Sequence, residues 1–504
     1  MIGDPMHMRL ISALTILFLA FLAVSPFPAR TAGSSDFSGV LAERMPDLLA
    51  KYRLPGAVVS YIQNGEVAWT QAYGLADLST HKPMAPEMIF NFGSCGKVLT
   101  GWGIMRLVEQ GKVELDAPVN QYLKRWQIQS MDYDAQKVTL RRLLSHTAGL
   151  TVHGFSDYSQ RRRLPTLAEM LAGQNQMDGA VTLFQEPGKG YQYSGGGYVL
   201  LQMVIEDVSG EPFAQFMERE VTGPLNMPSL HWVWTPELEA MAPVPYGPQG
   251  EALGYRQLAS QAIGSEIGTV PDFARFVAAV VSGPNGEPPG RGVLQPDTIA
   301  AMSTIQPNAK DEGLAYGIGG LQNGVLLQHF GANPGWNAFF SVDTFRREGL
   351  VMAVNSSNGF SLNAAVQNLW IKTTYNLSSE AVEPAPEPEG LSLQGMIMLA
   401  LAGVLALGLL IAAAIFIIRL RSQKLARSRR PSPKGLVWSS IWALLTLYWI
   451  YWFYSALPLP FPPGFPDFWH TQQVDMVMGV LLVWVAFSLV KAWYPKKIPS
   501  NESD

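Results

Sequence analysis

The sequence has almost no cysteine: Cys95 is the only one among 504 residues. An intramolecular disulfide and a cysteine-based metal site are therefore both excluded. None of the seven histidines forms a His-x-x-x-His pair, so we predict no metal site and no cofactor. No basic region in residues 1–390 suggests nucleic acid, and the net charge is only −4. We therefore predict no nucleic-acid partner.

Charged residues are also scarce, at 15% of the chain against 48% apolar residues. At the N-terminus, Arg9 precedes the apolar run LISALTILFLAFLAV (10–24) and a stretch with small residues. This order is typical of a secretory signal peptide, and an uncleaved signal anchor is the alternative. We assign residues 1–33 to this segment. Under both interpretations the following residues cross a membrane.

Three more apolar segments follow the Pro/Glu-rich stretch EAVEPAPEPEG, which is predicted to be an extended linker at 380–390. Each segment has about the 20 residues that are needed to span a bilayer. They occupy about 394–418, 436–457 and 474–494. We predict three transmembrane helices in a membrane domain at 391–504.

The charges between these segments predict their orientation. The first connection carries basic residues and no acidic one: Arg419, Arg421, Lys424, Arg427, Arg429, Arg430 and Lys434. The next connection, 458–473, has Asp467 but no lysine or arginine. The positive-inside rule makes the first connection cytoplasmic. We predict a multi-pass protein of the bacterial cytoplasmic membrane, in contact with lipid, whose domain at 34–379 lies on the periplasmic or extracellular side.

Domain 34–379 shows strand patterns near both ends and helical patterns between them. Two β runs flank Asn64-Gly65 within 56–77, which is a strong hairpin signal. Four short strand-like runs lie within 315–357, and the middle of the domain is mostly helices and loops. This order predicts an α/β (α+β) fold in which a sheet is assembled from both ends of the domain beside a helical insert.

The pattern Ser-x-x-Lys occurs three times, where average composition gives roughly two matches by chance: Ser79/Lys82, Ser94/Lys97 and Ser488/Lys491. The first match directly precedes Pro83, so no helix brings its two side chains onto one face. The third lies at the end of a predicted membrane helix, where no substrate pocket is expected. The middle match, in NFGSCGKVLTG (91–101), is the candidate.

After Ser94 the apolar residues recur at three and four positions as far as Gly111, which predicts a helix. If Ser94 opens that helix, Lys97 lies one turn along on the same face. A serine hydroxyl needs a base to become a nucleophile, and a buried lysine can be that base. The helix N-terminus also favours a developing oxyanion. The neighbouring Cys95 is interpreted as a packing residue.

Residues 73–123, which contain this pattern, resemble the serine β-lactamase and penicillin-binding-protein superfamily, in its class C β-lactamase-like branch. That branch includes DD-peptidases, D-aminopeptidases and esterases. LLSHTAGL (143–150), PGKGYQYSGGGYVLLQ (187–202) and LQHFGANPGW (327–336) resemble further stretches of the branch, and the likeness spans about 40–360. It implies a β-lactamase/transpeptidase-like antiparallel sheet flanked by helices, with a helical insert.

The resemblance implies roles for three catalytic residues. Ser94 is the acylated nucleophile, Lys97 is its general base, and Tyr193 moves a proton between Lys97 and the leaving group. Two alternatives stay open: Ser94 and Lys97 as relics of a lost activity, and Tyr193 as a core residue whose hydroxyl is bonded to backbone. His146, in the LLSHTAGL stretch, is expected to brace the turn after its helix.

The substrate-binding part departs from the family pattern. The stretches at 187–202 and 327–336 resemble the second and third catalytic motifs, or boxes, of the branch. The third box reads His329-Phe330-Gly331. The resemblance also implies an oxyanion hole made by the backbone N–H groups of Ser94 and Ala332. The box usually begins with Lys-Thr-Gly, whereas histidine is largely neutral at pH 7. Gly195 replaces the usual asparagine of the second box. His329 without any substrate role is the alternative.

These observations predict a membrane-anchored serine hydrolase that acts through a Ser94 acyl-enzyme on an ester, an amide or a D-amino-acid peptide. A peptidoglycan DD-peptidase or weak β-lactamase is the second hypothesis, because the altered boxes lower the odds of efficient β-lactam hydrolysis. A non-catalytic, penicillin-binding-like ligand binder is the third. The predicted partner is a small-molecule or cell-wall peptide substrate.

Overall fold

The computed structural model describes residues 37–159, 162–174, 178–321 and 324–376, with scattered positions between 407 and 490. The chain divides into two units, Met1–Pro388 and Glu389–Asp504. The α-helices of the first unit are α1 (Phe37–Tyr52), α2 (Lys97–Glu109), α3 (Leu140–Leu144), α4 (Leu167–Leu171), α5 (Gly195–Ser209), α6 (Phe213–Met217), α7 (Pro236–Ala240), α8 (Val270–Ala278), α9 (Pro296–Met302) and α10 (Phe360–Tyr375). The strands are β1 (Gly56–Gln63), β2 (Glu66–Asp77), β3 (Lys82–Pro83), β4 (Phe90–Asn91), β5 (Tyr158–Ser159), β6 (Arg256–Gln257), β7 (Ile267–Gly268), β8 (Gly317–Leu321), β9 (Gly324–Asn333), β10 (Trp336–Asp343) and β11 (Glu348–Val354).

Seven of these strands form one antiparallel sheet in the order β3-β2-β1-β11-β10-β9-β8. Strand β1 turns into β2 at Asn64 and Gly65, whose φ angles of 53° and 75° are those that a tight hairpin requires. Ala57 of β1 pairs with Val354 of β11, so the two ends of the domain meet at the centre of the sheet. The predicted hairpin, the four late strands and their assembly into one sheet are confirmed.

Both faces of the sheet are covered by helices, because neighbouring strand residues point to opposite sides. Val58 and Phe340 belong to the larger apolar core, with Trp102 of α2. Val59 and Phe339 belong to a second core on the other face. That second core is closed by α1 and α10, which the sequence analysis did not predict. An apolar residue at every fourth position of α1 was the available signal: Phe37, Leu41, Met45 and Leu49.

The helix that follows Ser94 is confirmed, with one difference at its start. Gly93–Gly96 form a 3-10 turn, and regular α-helix begins only at Lys97. The helix glycines allow close packing: a Cβ on Gly101 would lie 2.8 Å from the Ala315 Cβ. The 3-10 turn and helix α2 together place the serine beside β9.

The predicted membrane domain falls mostly outside the described residues, and the predicted signal segment and linker fall wholly outside them. Over the described parts of the chain, no helix combines the length and the apolar character needed to cross a bilayer.

Candidate active site

Ser94 is held by a turn that its own neighbours brace. Strand β4 ends at Asn91, whose side-chain oxygen accepts a hydrogen bond from the Gly93 backbone N–H at 3.0 Å. Gly93 has φ 52°, a conformation that glycine adopts without strain. The chain therefore reverses sharply before Ser94, which stays partly exposed while Gly93, Cys95 and Gly96 are buried.

Lys97 reaches back to Ser94 from the first turn of α2. Its Nζ lies 3.1 Å from Ser94 Oγ and 2.5 Å from the Ile263 carbonyl oxygen. The lysine is only 2% exposed. The Ser94 hydroxyl is thus within hydrogen-bonding distance of the amine, as a serine nucleophile and its base require.

Tyr193 lies over the same lysine, because α5 begins two residues later. Lys97 Nζ is 5.3 Å from the centroid of the Tyr193 ring. The His146 ring stacks on the Tyr193 ring with 4.2 Å between the centroids. The centroid of the His153 ring lies 4.7 Å from that of Tyr193. The Tyr193 side chain is partly exposed.

His146 connects the second box to the stretch LLSHTAGL. Its backbone has φ 55°, and its carbonyl accepts the Gln192 N–H at 2.7 Å. The Ser194 backbone N–H donates to Nδ1 of His146 at 3.2 Å, so the ring proton must lie on Nε2. Burial lowers the pKa of His146 well below its usual value, and Lys97 adds to this effect. The predicted bracing role fits this geometry, and the contact with Tyr193 goes beyond it.

Strand β9 approaches the serine turn with almost no clearance. A Cβ on Gly331 would lie 1.9 Å from the Phe92 carbonyl oxygen and 2.9 Å from the Ser94 backbone nitrogen. A Cβ on Gly93 would lie 2.6 Å from the backbone nitrogen of Ala332. The backbone nitrogens of Ser94 and Ala332 are thus brought to one place, as an oxyanion hole requires.

Asn333, at the end of β9, ties the strand to the serine turn. Its side-chain amide donates to the Asn91 side-chain oxygen at 2.6 Å and to the Gly264 carbonyl at 2.9 Å. Asn91 Oδ1 therefore accepts hydrogen bonds from both Gly93 and Asn333. This pair has no local signal in the sequence, since the two asparagines are far apart in the chain.

His329 is partly buried, and Phe330 turns away from it. Burial and the nearby Lys97 lower the pKa of His329 to about 4. Its Nδ1 lies 2.8 Å from the Phe330 carbonyl, which can only accept, so Nδ1 carries the proton. At neutral pH the ring has no charge, and Nε2 is an acceptor. The Phe330 ring packs against Phe339 and Phe360 in the second core.

Two further candidates contribute space and packing rather than reactive groups. The backbone N–H of Gly195 donates to the His153 carbonyl at 2.9 Å, and a Cβ at that position would lie 2.9 Å from the same oxygen. Cys95 is 1% exposed, and its thiol contacts the His329 carbonyl at 3.4 Å. Burial raises the pKa of this thiol, and Glu266 adds to the rise. Cys95 is thus a packing residue, as expected.

Fold and site together define a class. A partly exposed serine, a buried lysine at 3.1 Å and two converging backbone amides suit covalent catalysis through an acyl-enzyme. The β-lactamase family model matches residues 41–370. The chain belongs to this family and is a serine hydrolase.

The chain is similar to proteins with different names and activities. It is 30% identical to esterase EstB of Burkholderia gladioli over 57% of this chain and 75% of that protein. It is 22% identical to protein flp of Staphylococcus aureus over 62% of each chain, so it spans less than two thirds of that relative.

Solved structures share the fold at lower identity. A penicillin-binding protein homologue from Pyrococcus abyssi matches with a TM-score of 0.56 and 22% identity, over 72% of this chain and 81% of that one. A D-amino acid amidase from Ochrobactrum anthropi matches with a TM-score of 0.52 and 22% identity, over 64% and 91%.

Proposed function

We propose that this protein is a membrane-anchored, extracytoplasmic serine hydrolase of the class C β-lactamase-like branch. It acts through a Ser94 acyl-enzyme on an ester, an amide or a D-amino-acid peptide. The observation that carries the proposal is the 3.1 Å distance between Lys97 Nζ and Ser94 Oγ, with the lysine 2% exposed.

Acylation follows from this pair. Lys97 takes the Ser94 proton as Oγ forms a bond to the substrate carbonyl carbon. The backbone N–H groups of Ser94 and Ala332 stabilise the oxyanion. The bond to the leaving alcohol or amine then breaks, and that group takes up the proton from Lys97, with the Tyr193 hydroxyl as the relay. Water repeats the sequence on the acyl-enzyme and releases the acid.

The chemistry around His329 bears on the substrate. A neutral imidazole with an acceptor Nε2 does not attract a carboxylate, which favours substrates that place a neutral or hydrogen-bond-donating group there. Esterase EstB and the D-amino acid amidase are relatives whose names fit such substrates. The second candidate, a DD-peptidase or weak β-lactamase, is supported by a similar structure from Pseudomonas syringae, named a β-lactamase/D-alanine carboxypeptidase, with a TM-score of 0.53 at 14% identity.

A labelling experiment tests this proposal. The full-length chain is treated with a fluorophosphonate probe and, separately, with a fluorescent penicillin, and peptide mass mapping locates any adduct. We expect fluorophosphonate on Ser94 and none on Ser94→Ala, whose labelling rate should fall at least about a thousand-fold.

The outcomes separate the hypotheses. Fluorophosphonate alone on Ser94 supports an esterase or amidase, whereas adducts from both probes favour the cell-wall function. Absence of any adduct from a folded chain contradicts catalysis and favours a non-catalytic binder.

The anchoring part of the proposal is supported by the sequence. The basic connection at 419–434, the acidic residue in 458–473 and the apolar run at 10–24 are consistent with one orientation in the membrane. A hydrolase held this way meets substrates at the outer surface of the membrane.

A further inference from the structure

Glu266 is a fully buried carboxyl group beside the reacting pair. It is 0% exposed, and neither carboxyl oxygen has a hydrogen-bond partner within the described part of the chain. The indole N–H of Trp232 lies close enough to lower the pKa of the carboxyl but does not reach hydrogen-bonding geometry. A carboxylate in such surroundings is costly, so an acidic residue here requires an explanation.

The backbone fixes this side chain against the serine turn. The Phe92 N–H donates to the Glu266 carbonyl at 2.9 Å, and Ile267 of β7 pairs with Asn91 of β4. A Cβ on Gly96 would lie 1.8 Å from Glu266 Oε2, so the carboxyl packs directly against the Cα of Gly96, the residue before Lys97. Only glycine at position 96 leaves room for it.

The titratable groups that face this carboxyl are Lys97 and the Cys95 thiol. Burial raises the pKa of Glu266 to about 8, while its own backbone N–H and the Lys97 charge act in the opposite direction. Because burial also raises the pKa of Cys95, the thiol stays uncharged. The electrostatic partner of Glu266 in this pocket is therefore Lys97.

We propose that Glu266 is a positioning residue that controls the charge of Lys97, an inference that rests on the proposed function of Lys97 as the base. When the carboxyl is protonated, no anion lies behind the lysine, and the neutral amine accepts the Ser94 proton. When the carboxyl is ionised, it attracts and holds the ammonium form, which cannot accept a proton. The two groups titrate as a unit, and acylation requires the neutral amine, so an ionised Glu266 moves the onset of labelling to higher pH.

The test is the pH dependence of Ser94 acylation in the full-length chain. The fluorophosphonate labelling rate is measured from about pH 5 to about pH 10 for the wild type and Glu266→Gln. Glutamine keeps the shape of the side chain but does not ionise. We expect the midpoint of the rise to move to lower pH by about half a unit or more, with the plateau rate within about three-fold of the wild type.

Glu312→Gln is the matched control. Glu312 is also largely buried, with a pKa raised to about 7 by burial, but its carboxyl contacts the Tyr191 hydroxyl at 3.4 Å instead of the serine turn. Its midpoint should equal that of the wild type. An unchanged midpoint in Glu266→Gln, or an equal shift in Glu312→Gln, overturns the inference.

Glu266→Met covers the case in which the glutamine variant does not fold. Removing a carboxyl that has no partner removes its desolvation penalty, so this variant should fold with a higher Tm and show the same shift of the midpoint. If the wild-type chain is never labelled at any pH, the proposed function and the role of Glu266 are both contradicted. A labelled wild type whose midpoint neither variant changes contradicts the role of Glu266 alone.

Discussion

Two neighbouring residues of the site, Lys97 and His329, differ from ordinary surface bases. Lys97 is buried next to Ser94, and His329 lies on the adjacent strand β9. The His329 imidazole is uncharged at neutral pH, because burial and the nearby Lys97 lower its pKa to about 4.

The pKa of His329 predicts an acid-sensitive folded state. Its folded pKa of about 4 lies below the ordinary 6.5, so the unfolded chain binds the proton first as the pH falls. Stability is therefore lost between about pH 6.5 and pH 4, by at most about 3 kcal/mol for this residue. His329→Gln should lose less stability than the wild type between these pH values. The thermal unfolding midpoint of both chains, measured at a series of pH values, checks this.

His231→Gln is the control for this prediction, because the side chain of His231 is exposed. It should follow the wild type. His146 is also buried with a lowered pKa, so part of the acid sensitivity remains in every variant. Equal losses in the wild type and His329→Gln would show that the pKa of His329 is not depressed in the folded chain.

At the scale of elements, the site depends on how closely β9 approaches the serine turn. Gly331→Ala would direct a methyl group at the Phe92 carbonyl, 1.9 Å away, where backbone atoms leave no room. We expect a loss of stability of about 1–3 kcal/mol and a larger loss of labelling at Ser94, because the two backbone nitrogens separate. Thermal unfolding and fluorophosphonate labelling measure the two effects.

Gly320→Ala in the neighbouring strand β8 is the matched control, because a Cβ there meets nothing within 4 Å. It should change the free energy of unfolding by no more than about 0.5 kcal/mol. If Gly331→Ala behaved like this control, the strand would not be held tightly enough to shape an oxyanion hole.

The sequence predicts those elements whose signals are local. Asn64-Gly65 fixes a hairpin through the φ angles that the two residues favour, and the alternation of apolar residues marks the late strands. Ser94 and Lys97 are also local, being one helical turn apart. Helix α1 has a local signal as well, an apolar residue at every fourth position.

Other features arise only from pairings between distant segments. Glu266 reads as an ordinary polar residue until β7 pairs with β4 and brings it against Gly96. The contacts of His146 and His153 with Tyr193 likewise need the loop after α3 to meet the loop before α5. No periodicity within either segment encodes these contacts.

For the molecule as a whole, the main untested prediction is its orientation in a membrane, and the single cysteine makes this measurable. Cys95 is 1% exposed, so the wild type should react little with a membrane-impermeant maleimide. Ser79→Cys adds an exposed thiol to the hydrolase domain, and Ser428→Cys adds one to the basic connection. The labelling uses spheroplasts of an expressing bacterium. We expect Ser79→Cys to be labelled in intact spheroplasts and Ser428→Cys only after the spheroplasts are permeabilised.

The wild type is the background control, and permeabilised cells show that each introduced thiol is reactive. The opposite pattern would place the hydrolase domain in the cytoplasm. Labelling of both positions in intact spheroplasts would mean that both lie on the outer side of the membrane. Both results would contradict the positive-inside assignment of the segment 419–434, because seven basic residues without an acidic one should remain on the cytoplasmic side. A domain exposed outside and a basic connection protected inside would together require an odd number of membrane crossings between them.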